Sequence, residues 1–161
     1  MPQTAWLGEI YERFRRELFV TAWSVLRQTD LAEDAVHSAF ARLVRLPEPP
    51  ADPKLYVFRS VRNSAIDLLK ARARRREEPL AVDWDAAGPA ADAASAELSE
   101  LVSDALERLA SEGREVIELH LQAALTFQEI SQMLDEPLPT VTARYYRALE
   151  KLGQEIKVRH E

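Results

Sequence analysis

Apolar residues recur along this chain at the three- and four-residue steps of helices, and almost nowhere in the alternation of a strand. Leu7, Ile10, Tyr11, Phe14, Leu18, Ala22 and Val25 form one inward stripe, which predicts a first helix from about Trp6 to Arg27. Ala32, Ala35, Val36, Ala39, Phe40 and Leu43 predict a second, with Asp30 as its cap and Glu33 at the third position. Pro47, Pro49, Pro50 and Pro53 exclude helix over a short connection. Asp52-Pro53 then opens a third helix that runs into the arginines ending at Arg76. Farther along, Leu98, Leu101, Val102, Ala105, Leu106 and Leu109 are spaced for one helix, and Ser111 can cap another bearing Val116, Ile117 and Leu121.

The last third carries the sharpest pattern. Thr126 is placed to cap a short helix and Glu129 to close a capping box, with Ile130, Met133 and Leu134 as the apolar side. Asp135-Glu136-Pro137 interrupts it, because a proline disfavours helix at the residue before it. Pro139 suits the first turn of a second helix, where its missing N–H costs nothing. There Val141, Tyr145, Ala148, Leu149 and Leu152 make a buried stripe, leaving Thr140, Thr142, Ala143, Arg144, Tyr146 and Arg147 outside or beside it. Short polar groups near a helix start, backed by arginines, suit a major groove lined by phosphates. An ordinary helical hairpin in a bundle satisfies the same spacing.

Composition narrows the class. The chain has 161 residues, 47% of them apolar and 30% charged, with only 4 glycines, so an all-α protein with a modest core is expected. With 0 cysteines, disulfides, thiol catalysis and thiolate metal sites are excluded. The N-terminal segment is amphipathic and charged, without the apolar centre of a secretory leader, and no apolar run approaches the roughly 20 residues that span a bilayer. A cytoplasmic protein with no membrane insertion is expected.

Net charge is −6, which by itself argues against nucleic acid, but its distribution argues otherwise. Between Arg59 and Arg76 there are seven basic residues and one acid, Asp67; between Glu77 and Glu97 there are six acids and no base. Such a reversal separates parts with different electrostatic tasks. The expected organisation is a helical domain over 1–76, an acidic, alanine-rich linker over 77–97, and a helix-turn-helix domain over 98–161.

Two further segments, DLAEDAVHSAFARLVRL (30–46) and LYVFRSVRNSAIDLLKARARRR (55–76), precede the acidic stretch and EVIELHLQAALTFQEISQMLDEPLPTVTARYYRALEKL. In this order they resemble bacterial sigma factors of the extracytoplasmic-function group, over nearly the whole chain. The resemblance implies a region 2-like first domain that binds the clamp of core RNA polymerase and captures the promoter −10 element. It implies a region 4-like second domain that binds the −35 element and the polymerase flap, with the linker threading toward the polymerase active-site and RNA-exit region. The linker's acids suit a path lined by basic surfaces, though a solubilising spacer has the same composition. Members of the group are commonly held by an anti-sigma factor.

The resemblance also implies site residues. Glu33, Asp34 and His37 match the clamp-binding helix; Phe40 is as well suited to the core. The family often has Gln then Glu where this chain has His37 and Ser38. Arg59, Arg62, Asn63, Lys70 and Arg72 lie on the helix matching the −10 reader, the cations tracking phosphates and Asn63 carrying both a donor and an acceptor for a base edge. Asn63 aligns with an asparagine beside a flipped base. Tyr56 and Phe58 could stack on bases, but core packing is the simpler use of both. Thr140, Thr142, Ala143, Arg144, Tyr146 and Arg147 fall on the −35 reading helix. There Asp135, Pro139, Thr142 and Ala143 depart from the family's usual glycines and basic-serine pair, which alters base preference more than the helix.

Other classes fare worse. Glu33, Asp34 and His37 could share a metal, but a bundle site needs a second such set, and neither His120 nor His160 has a Glu-x-x-His companion. No glycine-rich phosphate loop or nucleophile–base pairing stands out, so neither catalysis nor a cofactor is expected. A helix-turn-helix regulator acting without polymerase is the alternative; it needs only the second domain. A pure protein-interaction module would show no salt-sensitive DNA binding.

Overall fold

The computed structural model describes residues 4–75, 81–83 and 93–160. Arg76, and the predicted linker apart from 81–83 and 93–97, lie outside the described residues. Seven α-helices and no strand occur among the described residues. They are α1 (Ala5–Leu26), α2 (Thr29–Leu43), α3 (Pro53–Arg74), α4 (Ala93–Glu107), α5 (Ser111–Leu121), α6 (Phe127–Leu134) and α7 (Leu138–His160). Helix α4 reaches back to Ala93, inside the stretch whose composition reads as linker.

Helices α1, α2 and α3 pack on one another as a first module. Ala32, Ala35 and Ala39 are fully buried on α2, and their small side chains let Leu18 and Trp23 of α1 and Val57, Phe58 and Val61 of α3 approach closely. Helix α1 leaves helical geometry at Phe14, whose ring meets Phe58 edge-on at 5.8 Å. Asp52 caps α3 by accepting the Leu55 N–H at 3.1 Å, and Pro53 occupies the first turn. Tyr56 departs from the core reading: it is exposed, while Phe58 alone is buried.

Helices α4 to α7 form the second module around Leu106, Val116, Leu119, Ile130, Val141 and Leu152. Both halves of the predicted capping box form: the Thr126 N–H donates to Glu129 at 3.0 Å, and the Glu129 N–H to the Thr126 hydroxyl at 3.0 Å. Asp135 ends α6 in the left-handed region at φ 59°, so the turn survives without the family's glycine because aspartate tolerates that geometry. His120 locks the turn to the long helix: it stacks on Phe127 at 4.2 Å, meets Tyr145 edge-on, and donates from Nδ1 to the Leu125 carbonyl at 2.9 Å. Leu98, Leu121 and Leu149, which helical spacing placed inward, are exposed instead.

Two predicted caps are not used. Helix α2 starts after Gln28 and α5 after Ala110, so Asp30 and Ser111 lie inside first turns. The end of α2 is served from a distance: the Thr29 N–H and hydroxyl both donate to one carboxylate oxygen of Asp83, at 2.5 and 2.6 Å. A carboxylate there also complements the positive end of the helix dipole. Asp83 is tied down further, its N–H donating to the Arg27 carbonyl at 3.1 Å and its carbonyl accepting the Trp23 indole N–H. The Gln28 amide donates to the Ala81 carbonyl, so residues 81–83 are strapped across the α1–α2 turn.

Candidate nucleic-acid interface

Helix α3 presents two surfaces of different character. On one, Asn63 is exposed and lines a pocket of about 260 Å³ with Ala39, Arg42, Leu43, Leu46, Tyr56 and Ser60. That volume falls below the range of drug-sized ligand sites. Arg42 reaches across it to donate to the buried Ser64 hydroxyl, which ties α2 to α3 beneath the pocket. Tyr56, exposed at the rim, offers a stacking face where core packing was the simpler expectation. Lys70 is exposed farther along α3, and Arg72 is half-buried.

The other surface of α3 faces the second module. Arg62 pairs with Glu115 at 2.9 Å, and the Arg59 guanidinium donates to the Gln132 carbonyl of α6. Arg59 and Arg62, both assigned to the −10 element, are therefore engaged within the chain. Beside them, Lys54 at the start of α3 pairs with Glu129 at 3.0 Å. Partial burial works to raise the Glu129 carboxyl, but the Thr126 N–H and the Lys54 ammonium outweigh it and hold the group below its ordinary range.

Behind this surface lies a feature that spacing did not reveal. Arg27 ends α1 in the left-handed region at φ 58° and points into α5, where one guanidinium nitrogen contacts both oxygens of Glu118 at 2.6 Å. A second nitrogen donates to Glu107, and the guanidinium lies 3.8 Å from the Trp23 ring centroid. Glu118 has 0% exposure. Burial pushes its carboxyl upward from the ordinary range, with the neighbouring Arg27 charge pulling the other way; burial likewise lowers Arg27. A charge inside the apolar run Val116-Ile117-Glu118-Leu119 is the only local hint, and nothing local names a partner 91 positions away.

The −35 candidates lie along the first three turns of α7. Tyr146 is 61% exposed, and Ala143 and Arg147 are also exposed. Thr140, Thr142 and Arg144 are half-buried. The Thr142 hydroxyl donates back to the backbone of the first turn, 3.0 Å from the Leu138 carbonyl and 3.1 Å from that of Pro139; either way its lone pairs remain available as acceptors. Arg147 bends toward the Ala143 carbonyl at 3.3 Å, and Arg144 lies 3.8 Å from Glu136. Arg144, Arg147 and Lys151 also border a groove of about 530 Å³ between α7 and the start of α5, with Gly113 at its floor. Glu33, Asp34 and His37 all stand exposed on the outer side of α2. Among the described residues no cluster of three or more histidine, aspartate or glutamate side chains is placed to hold a metal.

Comparison with known proteins agrees with this layout. The family model for sigma-70 region 2 matches residues 10–75, and that for sigma-70 region 4 matches residues 99–152. The chain is similar in structure to the sigma factor RpoE, solved in complex with the anti-sigma factor NepR from Bartonella quintana. That likeness has a TM-score of 0.70 at 21% identity and covers 96% of this chain and 98% of that one. At such identity it shows the fold. No curated protein gives a match.

Proposed function

The chain belongs to the sigma-70 family, as a factor of the extracytoplasmic-function group that directs RNA polymerase to promoters, and from that premise we propose how its two modules divide the work. The first module, over 1–76, takes the −10 element and the polymerase clamp; the second, over 98–161, takes the −35 element and the flap. Glu33, Asp34 and His37 contact the clamp from the open side of α2. Asn63 reads a base taken out of the stack, Tyr56 stacks beside it, and Arg59, Arg62, Lys70 and Arg72 follow the phosphates. Thr140, Thr142, Ala143, Arg144, Tyr146 and Arg147 enter the major groove at −35.

The observation that carries this reading is the pocket under Asn63. Extruding a base costs on the order of a few kcal/mol, which a site that holds the base offsets. Here an amide, an aromatic rim and a guanidinium converge on one cavity between α2 and α3. A stand-alone helix-turn-helix regulator has no use for such a module, and that reading loses its support. The family is not one of enzymes, and we propose no reaction. Among the described residues no helix is long and apolar enough to cross a membrane, which accords with work beside cytoplasmic polymerase. An anti-sigma factor, such as RpoE has in NepR, is a further partner in this reading.

The test is run-off transcription with purified core polymerase on genomic fragments, followed by Asn63→Ala on the promoter found. The substitution is expected to impair open-complex formation far more than polymerase binding. Equal loss of both would remove Asn63 from its role.

A further inference from the structure

We propose that Asp83 is a positioning residue for polymerase recognition: it sets the first turn of α2 and, through it, Glu33, Asp34 and His37. This rests on the reading of α2 as the clamp-binding helix. A helix end leaves backbone groups without partners, carbonyls at the C-terminus and N–H groups at the N-terminus. At the α1–α2 turn the two kinds lie side by side. Gln28, the residue before α2, makes no side-chain bond to the helix it precedes. Asp83 serves both ends at once. Its N–H donates at 3.1 Å to the carbonyl of Arg27, the residue that ends α1. One oxygen of its carboxylate accepts from the Thr29 N–H and hydroxyl, at 2.5 and 2.6 Å.

The carboxylate is itself aimed from behind. The Trp23 indole N–H donates to the Asp83 carbonyl and the Gln28 amide to the Ala81 carbonyl, and both donors are buried. With the Asp83 N–H, these bonds use only the backbone of residues 81–83, so they hold the segment whatever its side chains. The contact to α2 alone depends on which residue stands at 83. All of these bonds join the linker to the first module. Glu33 and Asp34 stand about one helical turn beyond Thr29, and His37 about two, so a first turn fixed at Thr29 orders the surface that the clamp reading needs. The same end of α2 already carries Asp30, Glu33 and Asp34, and like charge opposes a fourth acid there. The two hydrogen bonds and the positive helix end favour it. What matters at 83 is therefore the acceptor oxygen more than the charge.

The decisive variant is Asp83→Ala in the full-length chain. Its binding to immobilised core polymerase is measured well below the thermal midpoint, where every chain is folded. Losing one cap lowers the ordered share of a first turn about fivefold, and core binding is expected to weaken by about that factor. A merely structural role would lower the midpoint and leave the dissociation constant of the folded chain alone. Hydrogen exchange over residues 29–37 should quicken in the same variant. Asp83→Asn keeps the acceptor oxygen and should bind within about twofold of the wild type. Gln28→Ser added to Asp83→Ala supplies a cap from the position just before α2 and should recover most of the loss. Unchanged core binding by Asp83→Ala would overturn the inference. So would a loss that Gln28→Ser leaves in place, since Asp83 would then touch polymerase itself. Glu33→Ala with Asp34→Ala separates the two failures: weakened core binding there beside an unaffected Asp83→Ala sinks the positioning role alone, whereas unchanged binding by that pair sinks the reading of α2.

Discussion

Replacing Arg27 by methionine keeps most of the side-chain volume and removes one charge from the seam between α1 and α5. Glu118 is then left at 0% exposure without its hydrogen-bonded counter-ion, having lost two contacts of 2.6 Å and keeping only the charge of Arg114 nearby. Breaking such a pair one-sidedly costs about 3–5 kcal/mol, far above the roughly 0.5 kcal/mol of an ordinary surface change. Glu118 can escape part of that cost by taking up a proton. A carboxyl whose folded value is raised contributes stability that is present below its unfolded value and lost as pH rises through the folded one, at about 1.36 kcal/mol per unit. Guanidinium unfolding at pH 5.5 and pH 8 is the assay. The Arg27→Met chain should lose about 3 kcal/mol or more at pH 8 and visibly less at pH 5.5. Adding Glu118→Leu should recover most of the loss, because an apolar pair of similar volume is close to neutral there. A loss below about 1 kcal/mol at both pH values, with no coupling between the two substitutions, would refute the claim that this ion pair is a buried bridge.

Other sites give independent checks. A Cβ on Gly113 would lie 2.8 Å from the Ala148 Cβ, so Gly113→Ala should destabilise the second module by about 1–3 kcal/mol through overpacking, read as a lower thermal midpoint. Glu129→Ala removes the box at the start of α6 and should cost about 1 kcal/mol near neutral pH. Because that carboxyl is held below its ordinary value of 4.5, its contribution is present above that pH and fades as pH falls through the lowered value; the penalty should therefore shrink on acidification. Arg147→Ala should weaken −35 binding by about 1–3 kcal/mol in a gel-shift assay while leaving the unfolding midpoint alone, since the side chain is exposed.

Local signals were legible where the chain's own neighbours decide the outcome. Thr126 with Glu129, Pro53, Pro137 and Pro139 act over three or four positions, and the helices they start or stop are found there. The exposed residues of α2 and α7 followed from periodicity, as did most of the apolar stripes. What escaped was everything settled between distant segments. Asp30 and Ser111 look like caps, yet α2 draws its first acceptor from Asp83, 54 positions later. Tyr56 looks like core because it is aromatic, and Glu118 looks like surface because it is charged; both are decided by what packs opposite. The seam joining Arg27, Arg62 and Lys54 to acids of the second module has no period and no motif, so no window of sequence could contain it.

The knot at Asp83 sets how far the two halves can travel. While it stays tied, ten residue steps separate it from Ala93, a leash of about 35 Å at full stretch. If Asp83 lets go, eighteen steps run from Arg75 to Ala93, and the reach grows to about 60 Å. Release requires the Asp83 N–H and carbonyl to give up Arg27 and Trp23 and Ala81 to give up Gln28 together with the carboxylate's own bonds, and it leaves the first N–H of α2 uncovered.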